Sequence, residues 1–202
     1  MKKLFVGSLL ALAVTTSLSA QQPAAVAPAP APPVTPEIGT MAPDFTLPAA
    51  TRYGVLQNPV KLSDFRGKTV ILAFFPKART RGCTIQMHSY RDQYSKLFHA
   101  GQDIVLIAIS VDPADTLAAW AKDDQFQFLM ASDAAGPLTT AKAYGANAGR
   151  PTASRMLFVI DKEGKIAHKM IPFREVDPTS YVDLAAVLEK LAPAPADPAK
   201  GG

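Results

Sequence analysis

The chain has 202 residues, of which 48% are hydrophobic and 19% are charged. This length and composition suit one ordinary domain with a buried core, and they argue against a two-domain enzyme, wholesale disorder and a coiled coil. The formal net charge of +4 falls to +2 when Lys2 and Lys3 are left out, because 19 basic residues then face 17 acidic ones. We therefore expect no nucleic-acid-binding surface.

The start of the chain has the pattern of a secretory signal peptide over residues 1–20. Two lysines precede a mostly apolar run at 4–14, and small residues follow up to Ala20. The run is too short for a transmembrane helix, and no cysteine lies near the cleavage region to carry a lipid anchor. The pattern predicts an exported protein, periplasmic or secreted, without a membrane span. An uncleaved anchor or a first helix of the fold is the alternative.

Two segments are rich in proline and alanine. Residues 21–36 contain six prolines in sixteen positions, a composition that favours extended polyproline and supplies no core. Residues 192–202 have a similar character. We predict a linker at 21–36, a disordered tail at 192–202 and a folded domain over 37–191.

Inside that domain, apolar runs alternate with helical patterns. Short apolar runs typical of buried strands lie at 69–75, 104–111, 128–131 and 156–160. The last run is followed by a glycine-containing turn at 161–164 and a further strand at 165–171, which predicts a hairpin. Helices are predicted at 84–98, from Asp112 through Trp120, at 137–144 and from Asp177 onward. This order indicates an α/β fold with a central mixed β-sheet flanked by helices.

The chain contains a single cysteine, Cys83. One cysteine excludes an intramolecular disulfide, a CxxC dithiol, a thiolate zinc cage and an iron–sulfur cluster within one chain. The three histidines are His88, His99 and His168, at least eleven residues apart, which is not the spacing of metal ligands. We expect no metal and no cofactor.

Cys83 is predicted to lie where a helix opens after a buried strand and a turn. Free backbone N–H groups and the helix dipole stabilise a thiolate at such a position, and Arg79 and Arg81 are close by in sequence. A lone cysteine is otherwise an inert, buried, small hydrophobic residue. The strand, turn and helix start favour the reactive interpretation.

The residues around Cys83 resemble a known active-site motif. Pro76, Thr80 and Cys83, spaced as P-x-x-x-T-x-x-C, match the motif of the peroxiredoxins, and their neighbourhood is similar to the bacterioferritin comigratory (PrxQ-type) branch. Further blocks similar to that family lie at 39–47, where the resemblance implies the opening strand, at 62–68, and at 155–161, where it implies the strand that bears the arginine. The resemblance covers residues 37–191 and implies a thioredoxin-like fold and thiol-dependent reduction of peroxides.

The resemblance also implies roles for four residues. Cys83 would attack the peroxide and become a sulfenic acid, and Thr80 would hold the thiolate and orient the peroxide. Arg155 would bring a permanent positive charge, and Pro76 would shield the pocket from water. The plainer alternatives are a helix cap for Thr80, a surface ion pair for Arg155 and a strand terminator for Pro76.

The chain departs from that branch at two positions. Arg81 stands where a proline is common, and His88 stands where many relatives carry a second cysteine. The sulfenic acid must therefore be reduced by an external thiol, either a small thiol or a thioredoxin- or glutaredoxin-like protein, or by Cys83 of a second chain. We expect a one-cysteine peroxidase for hydrogen peroxide or alkyl hydroperoxides, present as a monomer or weak homodimer. A non-catalytic redox-sensing or binding module is the alternative.

Overall fold

The computed structural model describes residues 34–136, 138–147 and 149–193. They belong to the compact unit Pro32–Gly202. The predicted signal peptide (1–20) and most of the predicted linker and tail lie outside the described residues, so these assignments stay predictions. No helix in the described ranges has the length and apolar character needed to cross a membrane.

The described ranges contain strands and helices in alternation. The strands are β1 (Thr46–Leu47), β2 (Ala49–Thr51), β3 (Gly54–Val55), β4 (Val60–Lys61), β5 (Thr69–Phe74), β6 (Ile104–Ser110), β7 (Leu129–Ser132), β8 (Met156–Ile160) and β9 (Ile166–Met170). The α-helices are α1 (Arg81–Asp92), α2 (Tyr94–Leu97), α3 (Ala114–Asp123), α4 (Thr139–Ala143) and α5 (Pro178–Leu191), and short 3-10 helices lie at Leu62–Phe65 and His99–Gly101.

The main sheet is mixed, as predicted. Within the described residues it has seven strands in the order β3-β2-β7-β6-β5-β8-β9, while β1 and β4 form a separate antiparallel pair. Strands β5, β6 and β7 run parallel, whereas β8 is antiparallel to both β5 and β9. The predicted hairpin is therefore confirmed.

Strand β5 is an inner strand of the sheet, and both of its faces are covered. All six of its residues are buried. Successive strand residues point to opposite faces, so Ile71 and Ala73 join the cluster formed with α1, α3 and α5, while Val70 and Leu72 join the cluster on the other face. This two-sided burial explains the unbroken apolar run in the sequence.

Several predicted boundaries were wrong. The helix expected at 84–98 begins earlier, at Arg81, and ends at Asp92, because the backbone of Gln93 leaves helical geometry before the short helix α2. The family-like block at 39–47 contains only the two-residue strand β1 and an isolated bridge from Met41 to Lys165.

The ends of the described region contact the domain. The Lys169 Nζ atom donates to the Thr35 hydroxyl oxygen at 3.0 Å and to the Pro36 carbonyl oxygen at 3.2 Å. After α5, Ala192 is buried, and its N–H donates to the Leu188 carbonyl. A few residues on either side of 37–191 thus pack onto the fold.

Candidate active site

The loop after β5 is fastened to the neighbouring strand β6. The Asp112 carboxylate, buried just beyond β6, accepts hydrogen bonds from the Ala78 N–H at 2.7 Å and from the Ser110 hydroxyl at 2.9 Å. Pro76, at the start of this loop, is half-buried. Because β5 and β6 are parallel, their carboxyl ends meet at one edge of the sheet, and the loop that carries the motif is held there.

Thr80 is the N-cap residue of α1. Its backbone is extended, its carbonyl accepts from the Thr84 N–H at 2.8 Å, and its hydroxyl donates to the Lys77 carbonyl at 2.9 Å. Within the described ranges no hydrogen bond joins this hydroxyl to Cys83. The hydroxyl must rotate away from Lys77 before it can donate to a thiolate or a peroxide, and its role in orienting substrate stays a prediction.

Cys83 lies in the first turn of α1, two residues later than the helix start. Its side chain is buried with 0% exposure, and its Sγ atom receives a hydrogen bond from the Arg155 Nη2 atom at 3.6 Å. Arg155 directly precedes β8, whose Met156 pairs with Phe74 at the end of β5. Because β8 is antiparallel to β5, its first residue lies beside the last residue of β5. Arg155, one residue earlier, therefore lies next to the loop that leads to Cys83.

Every nitrogen of the Arg155 guanidinium has a partner. The Nη1 atom donates to the Gln86 Oε1 atom, and the Nε atom pairs with the Glu175 Oε2 atom at 3.0 Å. Gln86 lies three residues after Cys83 on α1, so both side chains lie on the same side of that helix. The arrangement fixes the plane of the guanidinium against the sulfur.

Gln86 is itself held by a buried tyrosine. Its Nε2 atom donates to the Tyr90 hydroxyl at 2.9 Å, and both side chains have 0% exposure. Burial raises the pKa of Tyr90, so the phenol stays neutral. The Tyr90 ring packs edge-on against Phe98 and Phe128 at centroid distances of 5.6 and 6.3 Å. The hydrogen-bonded chain from the sulfur thus ends in rigid aromatic packing.

Comparison with known proteins assigns the family. The model of the AhpC/TSA family matches residues 38–169. The chain belongs to the AhpC/TSA family. It is 31% identical over 150 residues to chloroplastic peroxiredoxin Q of Sedum lineare, with 72% of this chain and 73% of the relative covered. It is 32% identical over 143 residues to peroxiredoxin Bcp of Escherichia coli K12, with 67% and 86% covered.

A solved structure agrees with this assignment. The crystal structure of peroxidoxin BcpB from Mycobacterium tuberculosis superposes with a TM-score of 0.64 at 26% identity, covering 77% of this chain and 98% of that one. The predicted thioredoxin-like peroxiredoxin fold and the enzyme class, a thiol-dependent peroxidase of the peroxiredoxin type, are confirmed.

Two arginines that precede the cysteine in this peroxiredoxin do not act as the sequence suggested. Arg79 has a positive φ of 61° and pairs with Asp123 at 2.5 Å on the surface, and the Arg81 side chain is exposed. The positive charge that reaches Cys83 comes from Arg155 instead.

His88, at the position where related peroxiredoxins often have a second cysteine, is tied to a neighbouring segment. Its Nε2 atom lies 2.9 Å from the Asp124 Oδ2 atom, which also accepts from the Trp120 indole N–H at 2.7 Å. Burial alone would raise the pKa of Asp124, but the hydrogen bonds from His88 and Trp120 outweigh it, and the pKa lies below its ordinary value. His88 therefore links α1 to the end of α3.

Sequence reasoning missed Gln86, Glu175 and Asp112. The spacing of Gln86 from Cys83 is a signal that was available, and Asp112 follows a predicted strand at the same edge of the sheet. Glu175 gives no local signal, because it lies in the loop between β9 and α5 and reaches the site only through the folded chain.

Gly82 is needed where the helix meets Arg155. A Cβ atom at this position would lie 2.9 Å from the Arg155 Nη2 atom and would also collide with the Glu175 carboxylate. Alanine is otherwise favoured over glycine in helices by up to about 1 kcal/mol. We predict that Gly82→Ala slows oxidation by peroxide at least about tenfold by displacing these groups, while the thermal midpoint changes little. Single-turnover kinetics and a melting curve check this, and an unchanged peroxide rate would contradict it.

Proposed function

We propose that this peroxidase uses Cys83 as its only redox-active group and depends on an external thiol to complete each cycle. The observation that carries the proposal is the Arg155 Nη2 atom 3.6 Å from the sulfur of the single cysteine, at the start of a helix. The guanidinium places a fixed positive charge beside the atom that attacks the peroxide, where it can stabilise the negative charge that moves during the reaction.

In the first step, the Cys83 thiolate attacks one oxygen of hydrogen peroxide or an alkyl hydroperoxide. A sulfur–oxygen bond forms and the oxygen–oxygen bond breaks. The leaving oxygen takes up a proton and departs as water or an alcohol, while the sulfur is oxidised by two electrons to the sulfenic acid. Arg155 stabilises the negative charge that passes from sulfur to the leaving oxygen.

In the second step, an external thiol attacks the sulfenic sulfur and releases water, which leaves a mixed disulfide on Cys83. A second thiol attacks this disulfide, restores the Cys83 thiol and leaves as an oxidised disulfide. The two thiols supply the two electrons that the peroxide removed. The absence of a second cysteine in the sequence supports this route, with a small thiol or a thioredoxin- or glutaredoxin-like protein as reductant. The proposed working form is a monomer or weak homodimer.

Peroxide consumption with a panel of thiols tests this function. We expect continuous turnover with at least one small thiol or thioredoxin-like reductant in excess, and one equivalent of peroxide consumed without reductant. A protein that takes up one equivalent and never turns over with any thiol would be a redox sensor rather than a peroxidase, and the proposal would be wrong.

We also propose that the protein is exported to the periplasm or secreted, with residues 1–20 removed. The lysine pair, the apolar run and the small residues before Gln21 support this. The predicted mature protein begins near Gln21. The intact mass of the exported protein measures this directly, and a mass corresponding to all 202 residues would refute the prediction.

A further inference from the structure

We propose that Glu175 is a positioning residue that holds Arg155 against Cys83 and whose release opens the sulfur to the external thiol. Glu175 would then favour the peroxide step and restrain the thiol step. The inference rests on the proposed function. It assigns to one residue the balance between the peroxide step and the thiol step.

The first support is the geometry of the ion pair. Glu175 binds Arg155 at Nε, and the sulfur is bound at Nη2, which lies on the same edge of the planar guanidinium as the Nε–H group. The two side chains are only 14% and 21% exposed, so solvent screens this pair less than a surface pair. Without Glu175, the Nε atom loses its partner, and only the contacts of Nη1 with Gln86 and of Nη2 with the sulfur hold the guanidinium.

The second support is that this pair lies against the turn of α1 that carries Cys83. Gly82 has no side chain, and both Arg155 and Glu175 occupy the space that a Cβ atom there would need. Cys83 has 0% exposure. Peroxide and thiol must both reach the sulfur, and the thiol is the bulkier of the two, so the thiol step needs the wider opening.

The third support is the space beside Glu175. The residue borders a surface cavity of about 430 Å³ whose lining includes Ile85, Ser89 and Tyr181. The backbone of Glu175 is fixed, because the Tyr181 hydroxyl donates to its carbonyl at 2.9 Å. The carboxylate can therefore turn into the cavity while the loop stays in place.

These features give the two half-reactions opposite requirements. Attack on peroxide needs the Arg155 charge at the sulfur, and attack by the thiol needs the sulfur uncovered. Loss of Glu175 should therefore slow the first step and speed the second. A purely structural role would slow both or neither.

The test measures the two half-reactions separately in Glu175→Ala and Glu175→Gln. Glu163→Ala is the matched control, since Glu163 is an exposed carboxylate in the turn between β8 and β9. For Glu175→Ala we expect peroxide oxidation to slow on the order of tenfold, the loss typical of one charge-assisted hydrogen bond, and reduction of the pre-oxidised protein by dithiothreitol to quicken several-fold. Glu175→Gln, which keeps an oxygen that accepts from Nε, should lie between this variant and the parent, and the control should match the parent.

A probe that needs no peroxide separates this inference from the proposed function. We expect reduced Glu175→Ala to be alkylated by iodoacetamide faster than the parent, compared at the pH plateau of each protein so that access alone differs. Equal alkylation rates, or a slower thiol step, would overturn the inference even if the peroxidase activity is real. Failure of the parent to turn over would refute the proposed function and leave the alkylation result to decide the role of Glu175. If the alanine variant melts at a lower temperature than the parent, the near-isosteric Gln variant decides by the same criteria.

Discussion

Replacing Cys83 by serine should abolish peroxide turnover with every reductant. A hydroxyl ionises far less readily than a thiol, and an oxygen nucleophile cannot pass through the sulfenic acid and mixed disulfide of the proposed cycle. No other cysteine exists in the sequence to take over. Peroxide consumption measured with an excess of small thiol checks this.

The fold of Cys83→Ser should survive, because serine is close to cysteine in volume. The Arg155 Nη2 atom lies 3.6 Å from the sulfur, so a small shift towards the serine hydroxyl would let it donate a hydrogen bond and would limit the cost of a polar group in a fully buried position. Circular dichroism and a melting curve serve as the control. Turnover comparable to the parent in a folded variant would rule out Cys83 as the nucleophile.

Arg155→Ala should slow the peroxide step on the order of a thousandfold, as expected when a group that stabilises transition-state charge is removed. The loss concerns kcat/KM for peroxide, because the guanidinium acts on the thiolate and on the leaving oxygen. The substitution also leaves the buried Gln86 Oε1 atom and the Glu175 carboxylate without their partner, so we expect some loss of stability, about 1–3 kcal/mol.

Two further variants separate charge from structure at this position. Arg155→Lys keeps the charge but cannot bind Cys83, Gln86 and Glu175 together through one planar group, so we expect only partial recovery. Arg150→Ala removes an exposed arginine and should leave the rate unchanged. If Arg155→Ala slowed the peroxide step by less than about tenfold, Arg155 would have no catalytic role, and its pair with Glu175 would only stabilise the fold.

The parts of the fold that the sequence predicted best are the buried strands. Strands β5, β6 and β8 are covered on both faces, so nearly all of their residues are apolar and form a continuous apolar run in the sequence. The strands β2, β3 and β4 escaped prediction because they span only two or three residues, too few for a periodic pattern. The start of α1 was missed because Arg81 and Gly82 carry no apolar signal, although Thr80 is a residue type that favours N-caps.

The site also contains residues that the sequence predicted and residues that it did not. Cys83 and Arg155 were predicted from motif-like blocks, and the structure brings them together. The partners of Arg155 were not predicted, since an ion pair between Glu175 in one loop and an arginine before β8 depends on how β9 and α5 return the chain to α1. Such contacts arise from tertiary structure and leave no spacing to find in the sequence.

The most direct test of the central claim is the intact mass of the protein through one catalytic cycle. One equivalent of peroxide should add one oxygen atom at Cys83, and an excess of small thiol should then restore the parent mass with two thiols oxidised per peroxide consumed. An oxygen that adds at a methionine instead, or a Cys83 product that thiols never reduce, would contradict a one-cysteine peroxidase that is completed by an external reductant.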